Sequence, residues 1–139
     1  MLRHISPLLS PDAVHTLMSM GHGEEIVIAD ANFPALTLGP KIIRADGLAI
    51  PPLLDAILEL MPLDSYAPWK VALMQTLPGD SAPPVWETYK KIITAHEGDY
   101  CVKHFERFDF YEQAAKACAV ILTGETALYG NLILKKGVL

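Results

Sequence analysis

The sequence predicts an α/β fold in which helices pack on a largely parallel β-sheet. Two observations lead to this prediction. Short apolar runs alternate along the chain with longer segments in which apolar residues recur at helical spacing. Turn-forming residues, mainly Gly, Pro and Asp, separate these segments. The length of 139 residues fits one domain, spanning residues 1–139.

Two helices and three strands are predicted in the first part of the chain. Ser10 is a favourable N-cap and Pro11 a favourable first residue for a helix that Gly21 can stop. A second helix is predicted over residues 52–61, where apolar side chains form one stripe. Short β-branched or apolar runs predict strands over residues 26–29, 41–44 and 71–74.

Two more helices and three more strands are predicted in the second part. Residues 78–84 are rich in Pro and Gly and form a surface loop, which a helix over residues 84–95 follows. Asp109 is expected to cap another helix. The apolar face of that helix is expected to hold Phe110, Ala114 and Ala117. The remaining strands are predicted at residues 101–105, 119–122 and 132–134.

Charge and hydropathy exclude two broad classes of function. The formal net charge is −5 and Lys and Arg do not cluster, so nucleic-acid binding is not predicted. No apolar run approaches the roughly 20 residues that span a bilayer, so no membrane association is predicted. Residues 1–7 lack the apolar core of a signal peptide, and Cys101 and Cys118 have no zinc-type spacing. We therefore expect a cytoplasmic protein with reduced thiols.

The chain is also expected to self-associate. Its mean hydropathy of +0.26 is high for a small protein, which has much surface for its volume. Apolar surface beyond the needs of one core is typically buried between subunits. A homo-oligomer is therefore the expected state.

His22 is the first candidate for chemistry, because it lies between Gly21 and Gly23 just after a predicted helix. The two glycines allow unusual backbone angles and the close approach of a ligand. An imidazole can donate or accept a proton near neutral pH. The alternative is an exposed loop histidine with no role in chemistry.

A second group of candidates lies at the ends of predicted strands. Asp30 follows the first apolar strand and Arg107 lies in the connection after a later one. Ligands of α/β sheets gather beyond the carboxyl ends of strands. Tyr129, Gly130 and Asn131 precede the last strand and offer a hydroxyl and an amide, which suit a ligand rich in hydroxyl groups. Taken singly, these residues also fit a turn aspartate, a surface arginine over aromatic rings and a hairpin turn.

Familiar cofactor and nucleophile motifs are missing. The sequence has no phosphate-binding loop, dinucleotide fingerprint, G-x-S-x-G or H-E-x-x-H motif. No nucleotide cofactor and no metal are therefore expected. The residues by themselves predict an α/β domain with an unassigned polar cleft.

A set of short segments becomes informative when their order and spacing are taken together. They are residues 5–8, 21–26, 30–35, 43–48, 63–66, 107–112, 123–125, 129–131 and 134–138. This set resembles the RbsD/FucU family of sugar mutarotases, and in particular its fucose branch. The resemblance extends from the first residues to the last.

The resemblance implies a three-layer α/β sandwich with a largely parallel or mixed sheet. It implies that His22 donates a proton and that Asp30, Arg107 and residues 129–131 contact the sugar. It also implies ring-like assemblies, decamers in bacterial members, in which a neighbouring subunit can complete a site. Asn32 departs from the pattern, because many bacterial members of the fucose branch carry a His there. An amide cannot titrate, so no second imidazole is available at that position.

The implied activity is the interconversion of the α and β anomers of L-fucopyranose without a cofactor. Arg107 and the segment 44–48 favour fucose, because the ribose branch has a different residue at the Arg107 position and lacks the segment that matches residues 44–48. The alternatives are a D-ribose pyranase and a non-catalytic monosaccharide-binding or transport-associated protein. Asp30 could hold His22 in one tautomer or bind a sugar hydroxyl itself.

Overall fold

The computed structural model describes residues 1–139 and contains a six-stranded sheet with five helices. The helices are α1 (Pro11–Ser19), α2 (Ala35–Leu38), α3 (Ile50–Leu58), α4 (Val85–Glu97) and α5 (Arg107–Ala114). The strands are β1 (Glu25–Ala29), β2 (Lys41–Ala45), β3 (Val71–Met74), β4 (Val102–Phe105), β5 (Ala119–Thr123) and β6 (Leu132–Lys135). The predicted α/β fold class is confirmed.

The sheet is mixed, with the strand order β2-β5-β1-β6-β3-β4. Strands β2, β5 and β1 run parallel to one another, as do β3 and β4. Strand β6 lies between β1 and β3 and is antiparallel to both. The carboxyl ends of five strands and the amino end of β6 therefore share one edge of the sheet, which we call the carboxyl edge.

Helices cover both faces of the sheet and produce three layers. Successive side chains of a strand point to opposite faces, so β1 contributes Ile26 and Ile28 to one core and Val27 and Ala29 to the other. The larger core packs against α1, α3 and α4, and the smaller core packs against α2 and α5. None of the helices has the length and apolar character needed to cross a membrane.

Helix α1 shows how the local sequence sets a boundary. The Ser10 side chain accepts a hydrogen bond of 3.2 Å from the Ala13 backbone N–H, and Pro11 is the first helical residue. The helix ends at Ser19, and the extended backbone of its C-cap residue Met20 leads into Gly21. The start predicted from Ser10 and Pro11 is confirmed.

The predicted cap of α5 is wrong. Glu106, rather than Asp109, is the N-cap, and its carboxylate accepts a hydrogen bond of 2.9 Å from the Phe108 N–H. Asp109 lies in the first turn, where a carboxylate interacts favourably with the positive end of the helix dipole. Its presence therefore indicates a nearby helix start but does not identify the N-cap residue. Arg107 is consequently the first residue of the helix and not part of a loop. Ala117 is buried but lies beyond the helix end.

Two other helices differ from the prediction. Helix α3 begins at Ile50 because Pro51 and Pro52 are tolerated in a first turn, which lacks internal N–H bonds. Helix α2 (Ala35–Leu38) is absent from the prediction, because four residues give no periodic signal. It ends at Leu38 and is followed by the C-cap residue Gly39, whose φ of 96° lies in the left-handed region.

The hairpin-turn interpretation of residues 129–131 is wrong. Strands β5 and β6 are not neighbours, because β1 lies between them. The connection therefore crosses the carboxyl end of β1, directly beside Asp30. This crossing brings residues that are distant in sequence to one place.

Replacing Ser10 with Ala should lower the free energy of unfolding by about 1 kcal/mol, because the Ala13 N–H loses its capping acceptor. Urea denaturation followed by circular dichroism would measure the change. The exposed loop residue Ser81 provides the control, and Ser81→Ala should leave stability unchanged. Equal stability of the two variants would contradict the capping role.

Candidate active site

The carboxyl edge gathers most of the residues that the sequence singled out. Asp30 follows β1, Gln75 follows β3, and Arg107 follows β4. Asn131 lies at the same edge because β6 runs in the opposite direction and begins there. The mixed topology thus places residues from four strands around one cleft.

Asp30 and Asn131 form the centre of this site. Asn131 Oδ1 accepts a hydrogen bond of 2.7 Å from the Asp30 backbone N–H, and Asn131 Nδ2 donates to Asp30 Oδ2 at 3.0 Å. Asp30 Oδ1 accepts from the Asn32 N–H at 2.9 Å. Burial raises the pKa of Asp30, although the hydrogen bonds from Asn32 and Asn131 oppose the shift. The carboxylate is therefore fixed in orientation and available as an acceptor.

The turn that contains Tyr129 is held by aromatic side chains of α4. Tyr129 has a φ of 58°, which non-glycine residues rarely adopt. Trp86 Nε1 donates to the Tyr129 carbonyl and the Tyr89 hydroxyl donates to the Gly130 carbonyl, each at 2.8 Å. A Cβ at position 130 would lie 2.9 Å from the Ala127 carbonyl oxygen, so the close turn requires Gly130.

Arg107 projects from the first turn of α5 and is exposed. Its guanidinium carbon lies 5.6 Å from the ring centroid of Phe108 and 5.7 Å from that of Tyr111. Arg107 Nε also donates to the Tyr111 hydroxyl at 3.4 Å. The two rings hold the guanidinium at the mouth of the cleft, where its free N–H groups can donate to a ligand.

These residues line a cleft of about 290 Å³, close to the lower limit of about 300 Å³ for small-molecule sites. The polar residues of the cleft are Asp30, Asn32, Gln75, Arg107 and Asn131. The apolar wall contains Phe33, Met74, Leu77 and Leu128 together with the rings of Tyr111 and Tyr129. The cleft suits a small ligand that carries both hydroxyl groups and an apolar surface.

His22 lies at the opposite edge of the sheet, before β1. Its Nε2 donates to Asp64 Oδ1 at 3.0 Å, and its ring packs edge-on against Tyr66 with centroids 5.7 Å apart. Asp64 is buried, whereas the His22 side chain is 46% exposed. The hydrogen bond from His22 lowers the pKa of Asp64, so the carboxylate stays ionised and fixes the ring.

The last residues of the chain hold this pair together. The Lys136 carbonyl accepts from the Gly23 N–H at 2.8 Å, beside His22. The Gly137 N–H donates to the Pro62 carbonyl at 2.8 Å, and the Asp64 N–H donates to the Lys135 carbonyl at 3.0 Å. The extension of β6 thus ties the histidine loop and the aspartate segment to the same strand.

The structure brings together five of the six candidate residues. Asp30, Arg107, Tyr129, Gly130 and Asn131 surround or support the cleft. His22 does not reach it within one chain, because the five residues of β1 span about 16 Å between the two edges. Asp64, and not Asp30, holds the His22 ring.

Sequence reasoning missed three residues of these sites. Asp64 and Tyr111 lie inside segments that match the family but were given no role. The four-residue spacing from Arg107 to Tyr111 places both side chains on one helix face and could have identified Tyr111. Gln75 follows an apolar strand as Asp30 does, so the tendency of ligands to gather beyond the carboxyl ends of strands could have identified it. No three His, Cys, Asp or Glu side chains converge as they would to hold a metal ion.

The sequence profile of the RbsD / FucU transport protein family matches residues 3–139. The chain belongs to this family, and the membership expected from the short segments is confirmed. Among curated relatives, it is similar to the fucose mutarotase of Homo sapiens. The two are 51% identical over an alignment that covers 99% of this chain and 94% of the human one.

Solved structures of the family share this fold. A crystal structure of the fucose mutarotase from Streptococcus pneumoniae in complex with L-fucose is 51% identical and has a TM-score of 0.96, covering 99% of both chains. The structure of Bacillus subtilis RbsD complexed with D-ribose is 26% identical and has a TM-score of 0.80. It covers 100% of this chain and 99% of the other. The three-layer fold expected from the family is therefore confirmed.

Replacing Gly137 with Ala should lower the free energy of unfolding by roughly 1–3 kcal/mol, because the added Cβ would overlap the Leu63 carbonyl group. Gly21→Ala is the matched control, since its Cβ would meet only the end of the Glu24 side chain at 3.6 Å. Urea denaturation of both variants would measure the difference. A Gly137→Ala protein as stable as the control would show that Gly137 and the Leu63 carbonyl group are not in tight contact.

Proposed function

We propose that this chain is an L-fucose mutarotase, an isomerase that interconverts the α and β anomers of L-fucopyranose. The observation that carries the proposal is the full-length similarity to the S. pneumoniae enzyme with L-fucose bound, at 51% identity. The human relative of the same name supports it. One domain, residues 1–139, carries the activity, and its residence in the cytoplasm stays a prediction.

The chemistry requires two proton transfers and no redox change. Opening the ring needs a proton at the ring oxygen and loss of the proton from the anomeric hydroxyl. Rotation about the C1–C2 bond of the open aldehyde then lets the ring close on the other face. Placed acid and base groups accelerate such a step by about 10²–10⁴-fold. The C1–O5 bond breaks and re-forms with two proton transfers and no change of oxidation state, so the proposed reaction uses no cofactor and no metal.

The cleft supplies complementary groups for the sugar. Asp30 and Tyr129 offer acceptor oxygens, while Arg107 and the second N–H of Asn131 Nδ2 offer donors. The apolar wall around Met74 can pack against the methyl group of a 6-deoxy sugar. These residues are proposed to bind and orient fucose, with Gly130 shaping the turn that presents two of them.

We assign the proton donor to His22 of a neighbouring subunit. Within one chain His22 lies across the sheet from Asp30, yet the ring is half exposed and oriented by Asp64. Such a group can serve a cleft only if another copy of the chain presents that cleft to it. The proposal therefore includes a homo-oligomer, a decamer if the ring assemblies of bacterial members apply.

Ribose is the second candidate substrate, because the family fold also occurs in B. subtilis RbsD complexed with D-ribose. That relationship is weaker, at 26% identity against 51% for the fucose enzyme. Saturation-transfer NMR on both sugars would separate the two assignments. Preference for ribose would replace the fucose assignment, and binding without faster exchange would favour a non-catalytic sugar-binding role.

The purified protein should raise the exchange rate between the fucose anomers well above that of buffer, and His22→Ala should lower the acceleration by about 10²–10⁴-fold. His15→Ala is a suitable control, because this exposed histidine makes no side-chain contact with the cleft. Saturation-transfer NMR measures all three rates. Full activity in His22→Ala would remove its assigned role without removing the enzyme assignment.

A mixing experiment would test whether the site is shared between subunits. His22→Ala and Arg107→Ala should each be nearly inactive, but subunits refolded together should regain activity. With random pairing, about one quarter of the shared sites would combine an intact His22 with an intact Arg107. Activity equal to the simple average of the two variants would place the whole site within one chain.

A further inference from the structure

A short turn, residues 77–80, holds the Tyr129 hydroxyl at the cleft. The proposed reaction by itself gives this turn no role. The hydroxyl proton is donated to Asp80 Oδ2, and the hydroxyl oxygen accepts a hydrogen bond of 3.3 Å from the Leu77 N–H. Asp80 is exposed and lies in the loop between β3 and α4. Both partners of the hydroxyl therefore come from the same four residues of chain.

The local sequence explains why these partners coincide. Residues 77–80 read Leu-Pro-Gly-Asp, with proline second and a glycine of φ 93° third, which is the pattern of a type II turn. The turn closes through the Asp80 N–H, which donates to the Leu77 carbonyl at 3.0 Å. Closure directs the Leu77 N–H and the Asp80 carboxylate at one point, and the Tyr129 hydroxyl occupies that point.

This arrangement decides how Tyr129 meets a ligand. A phenolic hydroxyl has one proton and two acceptor positions. Asp80 takes the proton and Leu77 fills one acceptor position, which leaves a single acceptor position for the cleft. Asp80 also raises the pKa of Tyr129 through this hydrogen bond, so the hydroxyl stays protonated and oriented. A sugar hydroxyl that contacts Tyr129 must therefore be the donor.

We propose that Asp80 is a positioning residue that lets Tyr129 take the anomeric proton and receives the proton that Tyr129 releases. The inference rests on the proposed mutarotase function and supplies the base that faces His22. Asp30 is the other acceptor in the cleft and has free lone pairs for a sugar hydroxyl, but its carboxylate is buried and the two partners of that carboxylate are N–H donors, which cannot pass a proton on. The Tyr129 pathway, by contrast, leads from the cleft to the exposed carboxylate of Asp80.

The proton and electron balance closes without another reactant. The anomeric O–H proton moves to the Tyr129 oxygen while the Tyr129 proton moves to Asp80. The electron pair of the O–H bond forms the C1=O double bond, and the pair of the C1–O5 bond goes to the ring oxygen. That oxygen takes a proton from His22 of the neighbouring subunit. Ring closure on either face of the aldehyde reverses each transfer.

Asp80→Asn is the decisive variant, because the amide oxygen can still accept from Tyr129 but the side chain cannot take up a proton. We expect the limiting exchange rate at saturating fucose to fall about 100-fold, while KM stays within about twofold of the wild-type value. Asp80→Glu, which keeps the carboxylate, should be faster than Asp80→Asn. Asp99→Asn, an exposed change at the opposite edge, should behave as wild type.

A double-mutant cycle tests whether Asp80 acts through Tyr129. In a Tyr129→Phe background the relay is already broken, so Asp80→Asn should cause little further loss. Thermal melting would verify that each variant is folded. A near wild-type rate for Asp80→Asn, a change in KM alone, or an undiminished loss in the Tyr129→Phe background would each overturn the inference. A wild-type protein that fails to accelerate fucose exchange would overturn the proposed function and the inference together.

Discussion

A buried carboxylate at the end of a central strand must be hydrogen-bonded, and much of this structure follows from how that requirement is met. Asp30 follows the apolar strand β1, which is covered on both faces. Its partner Asn131 is 101 residues away and satisfies both the backbone N–H and the side chain of Asp30. The pairing joins the first strand to the last and fixes the register at which β6 enters the sheet. The oxygens proposed to bind the ligand are thus oriented by the same bonds that close the fold.

The reversed direction of β6 gives the sheet two functional edges. At its amino end β6 delivers Asn131 to the carboxyl edge, and at and just beyond its carboxyl end residues 135–137 bind the segments that carry His22 and Asp64. A wholly parallel sheet would place the end of its last strand at the carboxyl edge with all the others. One antiparallel strand therefore supports a binding cleft at one edge and an oriented imidazole at the other.

The sequence predicted the elements whose signal is local and missed what depends on contacts between distant residues. Strand β3 and the start of α1 follow from short apolar and capping patterns, and both occur as expected. The single antiparallel strand leaves no local trace, because the residues of β6 resemble those of a buried strand of either direction. The separation of His22 from Asp30 was hidden for a related reason. His22 and Asp30 are only eight positions apart in the sequence, but the extended strand between them places them at opposite edges of the sheet. The role of Asp64 depends on a contact across 42 residues, which no local pattern encodes.

The distribution of donors and acceptors explains why a shared site suits this chemistry. Ring opening needs an acid and a base at different atoms of one small sugar, so the two groups must be held apart on opposite sides of it. In this chain β1 keeps the imidazole of His22 away from the acceptors Asp30 and Tyr129, while Asp64 orients the imidazole. The two sets of groups can each be held rigidly by their own edge of the sheet. In the proposed homo-oligomer they meet across a subunit boundary with the sugar between them, so association would assemble the site without either set having to move.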